Sequence, residues 1–175
     1  MSPILGIYAS QQSGHFSSFY SIATQTVGAG GASSITFSSI PSTYTHLQVR
    51  LFSNATLSTG YLRFNGDTGA NYSTHYLLGN GSSASAGALS SSTYIYGLID
   101  GSSNFAANII DILDYSNTSK NKTTRTLSGI DENGSGDVVL YSGAWYNTAA
   151  ITSLTLLPSS GNFSQYSSFA LYGVR

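Results

Sequence analysis

The sequence predicts an all-β protein, an antiparallel β-sandwich of jelly-roll-like type preceded by an extended N-terminal arm. Three observations lead there. Past residue 20, apolar and polar residues alternate with period two in one short run after another. Gly, Ser and Asn punctuate those runs at turn spacing. No segment carries a helical stripe that a strand does not explain equally well.

Taken in order, residues 1–20 fit neither a strand pair nor a helix. They are assigned to the arm, with the sandwich spanning 21–175. Strands are expected at Ile22–Val27 and Ser34–Phe37. In "THLQVRLF", Leu47, Val49 and Leu51 take one face and His46, Gln48 and Arg50 the other. "YLRFNGD" puts Leu62 and Phe64 on one face and runs into Asn65-Gly66, a hairpin signal because both residues tolerate positive φ. Further strands are expected at Tyr72–Leu78 and Thr93–Leu98, with the small-residue segment Leu78–Ser92 read as an exposed, mobile loop. "FAANIIDILDY" is ambiguous: Phe105, Ile109 and Ile112 make a helical stripe, whereas Ala107, Ile109, Leu113 and Tyr115 share a strand face. Flanking strands and β-branched content favour a strand. The remaining strands fall at Lys122–Ile130, Val138–Trp145, Ile151–Leu157 and Ser168–Val174. The last has a buried face of Phe169 and Leu171 and is placed in the middle of a sheet.

Composition narrows the function classes. Charged residues make up 7% of the chain and the net charge is −1. That balance argues against electrostatic capture of nucleic acid or an anionic membrane. So little charge gives little self-repulsion, which points to life within an assembly. With no cysteine there is no disulfide framework and no thiolate chemistry. The opening lacks the basic region and long apolar run of a signal peptide, and no apolar run reaches the ~20 residues of a membrane span.

Candidate sites are few. In "DENGSGD", Asp131, Asn133, Ser135 and Asp137 place oxygens on alternate residues around a glycine, as calcium turns do. No bidentate Glu closes the loop, and Asn133-Gly134 is itself a hairpin signal, so a metal-free turn is expected. His15, His46 and His75 show no zinc spacing. No G-x-S-x-G elbow occurs, and Glu132 is the sole glutamate, which leaves a glycosidase only pairs of aspartates. Asp111 and Asp114, three apart in a strand, take opposite faces. Lys120, Lys122 and Arg125 form the one basic cluster, read as a surface ion-pair patch. Tyr141 and Tyr146 beside Trp145 suit either a sugar-stacking platform or core and interface packing. No catalytic residue and no cofactor is assigned.

Several strings together carry a family likeness. "SITFSSIPSTYTHLQVR" (Ser34–Arg50), "LRFNGDTGANYSTHYL" (Leu62–Leu77), "DILDYSNTSKNKT" (Asp111–Thr123) and "FALYGVR" (Phe169–Arg175) resemble a group of virion structural proteins of tailed bacteriophages, as does the opening "PILGIYAS". The resemblance runs nearly end to end. It implies a non-enzymatic particle component made in a bacterial cytoplasm, with other virion proteins as partners and the major capsid protein foremost. It carries no catalytic residues.

That implication gives the arm a purpose. Ile4, Leu5, Ile7 and Tyr8 are too few to form a core of their own, but they suffice to fill a neighbour's groove or add a strand to it. Their burial is worth roughly 1.5–3 kcal/mol each before ordering costs. The leading expectation is a capsid decoration (cement) protein, trimeric on the head exterior. The alternative is a tail, baseplate or fibre component that binds a host surface glycan.

Overall fold

The computed structural model describes residues 18–56, 59–101 and 104–175. Within them lie twelve strands: β1 (Phe19–Thr26), β2 (Ile35–Phe37), β3 (His46–Ser53), β4 (Gly60–Phe64), β5 (Tyr72–Gly79), β6 (Ala84–Ser92), β7 (Ile95–Leu98), β8 (Ala106–Leu113), β9 (Lys122–Asp131), β10 (Gly136–Trp145), β11 (Leu154–Pro158) and β12 (Ser168–Val174). They form two antiparallel sheets, ordered β1-β12-β3-β8-β9-β10-β5-β6 and β2-β11-β4-β7. The all-β sandwich follows from the alternation. Leu47, Val49, Leu51, Ile110, Ile112, Phe169 and Leu171 of the large sheet share one core with Ile35, Phe37, Leu62, Phe64, Leu154 and Leu156 of the small one. No helix among the described residues is long and apolar enough to cross a membrane.

The last strand, β12, pairs with both β1 and β3, one place in from the sheet edge. Of "FAANIIDILDY", residues 106–113 form β8, whose buried face is Ala106, Asn108, Ile110 and Ile112. Ala107, Ile109 and Leu113 point outward, while Tyr115 is buried beyond the strand end.

Two expectations are corrected. The presumed loop Leu78–Ser92 is mostly strand: β6 pairs with β5 from Gly79↔Ala84 to Tyr72↔Ser92, leaving a tight turn at 80–83. Backbone pairing supplies what Ala, Ser and Gly lack in β-propensity. Asn65 and Gly66 do adopt positive φ (51° and 68°), but they do not close a hairpin. The strands on either side belong to different sheets, and the Asn65 side chain instead ties the turn to Ala150, Thr152 and Ser153.

Polar groups inside the sandwich are largely satisfied. Asn108 receives the Ile99 N–H at 2.8 Å and the Ser128 hydroxyl at 2.6 Å, and donates to the Ile99 carbonyl at 2.8 Å. Lys122 is fully buried, and its ammonium donates to the carbonyls of Asn117, Lys120 and Thr148 at 2.6, 2.9 and 3.0 Å. Asp100 is one exception, beside Glu132 Oε1 and Ser159 Oγ. It is fully buried, Oδ1 accepts the Ser53 hydroxyl at 2.5 Å, and Oδ2 has no partner among the described residues. Burial pushes its pKa up to about 6.

Candidate docking face and tyrosine hollow

Alternation that buries one face of the large sheet must present the other. In most antiparallel sandwiches that outer face is polar; here much of it is not. Register places Arg50, Ile109, Leu127, Leu140 and Leu77 in one row across five strands. The next row is Phe52, Ala107, Gly129, Val138 and Gly79. Phe52, Leu77, Ile109, Leu127, Val138 and Leu140 are each 44–61% exposed. Together they show on the order of 500 Å² of apolar side chain, at the upper end of what a monomer leaves bare.

A polar row borders this patch: Gln48, Asp111, Arg125, Ser142 and His75. Arg125 donates to Asp111 at 2.8 Å and Gln48 donates to its other oxygen at 2.8 Å. Partial burial alone would raise the Asp111 pKa, but the hydrogen bonds from Gln48 and Arg125 and the guanidinium charge outweigh it and hold the carboxyl below its usual range. Arg50 donates to Gln48 at 2.7 Å and lies over the Phe19 and Tyr172 rings. Gln48, Asp111 and Arg125 of the rim are thus paired with one another, and Arg50, at one end of its row, is the one charged residue in the two rows.

The second feature lies on the inner side. Four strands are narrower than eight at about 4.8 Å per strand, so the inner faces of β5 and β6 run on past β7. A hollow of about 440 Å³ results, lined by Thr59, Tyr76, Leu78, Gly87, Ala88, Leu89, Tyr96 and Tyr141. Tyr96 is held edge-on to Tyr61 at 5.0 Å, and Tyr61 stacks on Tyr94 at 3.8 Å. Arg63 sits over the Tyr94 ring and donates to the Thr93 carbonyl. Burial, followed by the hydroxyls of Tyr96 and Tyr94, raises the Tyr61 pKa.

The residues singled out in the sequence are placed as follows. Ile4, Leu5, Ile7, Tyr8 and His15 lie outside the described residues. "DENGSGD" is the β9–β10 turn, with positive φ at Asn133 (56°) and Gly134 (111°). Asp131 Oδ1 accepts the Asn133 N–H at 2.8 Å, and the Glu132 N–H donates to the Ser135 carbonyl at 2.9 Å. Among the described residues no three His, Cys, Asp or Glu side chains gather to hold a metal ion. His46 and His75 are separated by β8, β9 and β10 and do not converge. The basic cluster divides: Lys120 pairs with Asp114 and Arg125 with Asp111, while Lys122 is core rather than surface.

The proposed stacking platform also divides. Trp145 is buried, its indole N–H donating to Asp67 at 2.7 Å, whereas Tyr146 is exposed on the far side of the chain. That indole bond, ahead of contributions from Asn71 and Gly69, lowers the Asp67 pKa. Tyr141 instead joins Tyr76, with ring centroids 6.1 Å apart. Tyr76 and Tyr96 were not singled out. The signal for them is the i, i+2 spacing of Tyr94 and Tyr96 and the inward parity of Tyr72, Thr74, Tyr76 and Leu78. Comparison with family models, with curated proteins and with solved structures finds no match to this chain.

Proposed function

We propose that this chain is a structural protein of a bacteriophage virion. In this reading it is a capsid decoration protein that docks on the head exterior, the major capsid protein being its partner, and packs against further copies of itself, as a trimer. The observation that carries the proposal is the apolar outer face of the large sheet. A patch of this size, with its charge confined to Arg50 at one end, resembles the core of a protein–protein contact more than a solvated sheet. A standard interface buries about 800 Å² per partner. The patch supplies much of that area, and its paired polar rim supplies the edge. The sequence strings that resemble virion proteins of tailed phages point the same way. The arm, with Ile4, Leu5, Ile7 and Tyr8, is a second attachment element in this reading.

The test is the copy number of the chain in purified particles, together with incorporation of a Leu127→Asp/Leu140→Asp variant. A decoration protein is present in hundreds of copies. The double variant should keep its β circular dichroism yet fail to co-sediment, because two unpaired charges cannot be buried at a contact. A few copies per particle would move the chain to the tail or a fibre. Normal incorporation of the variant would take the outer face out of attachment.

A further inference from the structure

We propose that the tyrosine hollow is a binding site for a neutral saccharide. Its volume, about 440 Å³, falls within the roughly 300–1,000 Å³ of small-molecule sites and accommodates a mono- or disaccharide. Its walls suit the two surfaces of a sugar ring. The faces of pyranoses are C–H surfaces that pack on aromatic rings, and half-buried Tyr76 and Tyr96 line the hollow with such rings. Sugar edges carry hydroxyls that both donate and accept, as do the phenols of Tyr76, Tyr96 and Tyr141 and the Thr59 hydroxyl.

Tyr141 points most directly to a ligand. Its residue surface is only 5% exposed. No described residue hydrogen-bonds its hydroxyl, and that oxygen is not sealed among the buried polar atoms without partners. Tyr141 lines the hollow, which puts its hydroxyl within reach of a ligand there. With no partner among the described residues, this phenol can exchange water in the hollow for a ligand hydroxyl. Burial raises its pKa, so it stays protonated and able to donate at neutral pH.

The same inventory disfavours other ligands. Among the described residues no charged side chain lines the hollow, so a carboxylate, phosphate or ammonium would find no counter-charge there. A purely aliphatic ligand would leave the Tyr141 and Thr59 hydroxyls unpaired. The walls are also fixed in advance. Tyr96 is packed against Tyr61 and Tyr94, and the Tyr76 phenol lies over Gly87, where a Cβ would come within 2.5 Å of it. Such preorganisation lowers the entropic cost of binding. Gly87–Leu89 belong to the outermost strand of the sheet, so backbone groups on its free side are available to ligand hydroxyls.

The site stands on the hollow alone and is independent of whether the outer face mediates assembly. The test uses the purified full chain with glucose, galactose, mannose, N-acetylglucosamine and their β-linked disaccharides, read by saturation-transfer NMR and titration. At least one should bind at millimolar concentrations or below. Tyr141→Phe, which removes only the hydroxyl, should weaken that sugar roughly two- to tenfold, the worth of one neutral hydrogen bond. Leu89→Trp, which fills the hollow from its half-buried rim, should abolish binding, and Leu127→Asp on the outer face should leave it unchanged. Should Leu89→Trp fail to fold, Tyr141→Phe still decides. The proposal is overturned if no probe binds, or if binding is indifferent to Tyr141→Phe. It is also overturned if a peptide of residues 1–17 occupies the hollow in place of sugar.

Discussion

Replacing Asp100 with Asn isolates the cost of one buried charge. The carboxyl is sealed from solvent, one oxygen accepts the Ser53 hydroxyl, and the other has no partner among the described residues. Its pKa is raised from 3.8 to about 6 in the folded chain. The folded value lies above the unfolded one, so below 3.8 the group is neutral in both states and costs nothing through ionisation. As pH rises from 3.8 to about 6, the unfolded chain releases its proton first and stability falls. Above that window the penalty is constant. At about 1.4 kcal/mol per pH unit it reaches about 3 kcal/mol.

Asn cannot ionise, so Asp100→Asn should gain stability relative to the parent between pH 4 and pH 8, whatever fixed offset the amide brings. For a chain of this length the relative gain is about 6–12 °C in Tm. Thermal melts of both proteins at the two pH values, followed by circular dichroism, measure it. A difference in Tm that does not change with pH would show that the carboxyl titrates normally. A variant that loses ground as pH rises would show that the carboxylate has a stabilising partner, and the physical account of this site would be wrong.

Two further outcomes are expected. Lys122→Met should lower stability by about 2 kcal/mol, or about 4–8 °C in Tm, because three carbonyls lose a charge-assisted donor while water reaches part of them; an unchanged melt would mean that the carbonyls rehydrate fully. Chelating calcium should leave Tm unaltered, since Asp131 already serves its own turn; a clear drop would make Asp131, Asn133 and Asp137 cation ligands.

How far the sequence speaks depends on which force shapes each segment. Leu47, Val49 and Leu51 announce their face because burial alone sets it, and Asn133-Gly134 announces its turn because few residues adopt positive φ. β8 reveals its strand but not its direction, since Ile109 and Leu113 are as apolar as Ile110 and Ile112. That same surplus is what leaves the outer face bare. β6 is hidden because Ala, Ser and Gly declare no preference, and its pairing comes from the backbone of β5. Lys122 and Asp100 run against the rule that charged residues face water. The hollow is built from Thr59, β5, β6, β7 and β10, segments that meet only once both sheets exist.

The meeting of Tyr76 with Gly87 bears on how β6 finds its place at all. Ala84-Ser85-Ala86-Gly87-Ala88 offers almost nothing to distinguish one alignment from another two residues along, and strands of that kind are prone to slip. A slip of two would bring Ser85 or Leu89 opposite Tyr76, and a Cβ at that point would lie 2.5–2.7 Å from the phenol where it now rests. The glycine works as a keyway that lets the ring rest where it lies, and any other alignment would make it swing aside. Alignment is therefore biased at a single point, so exchanges between Ala and Ser elsewhere in the strand cost less than a side chain at position 87, which would displace the Tyr76 ring.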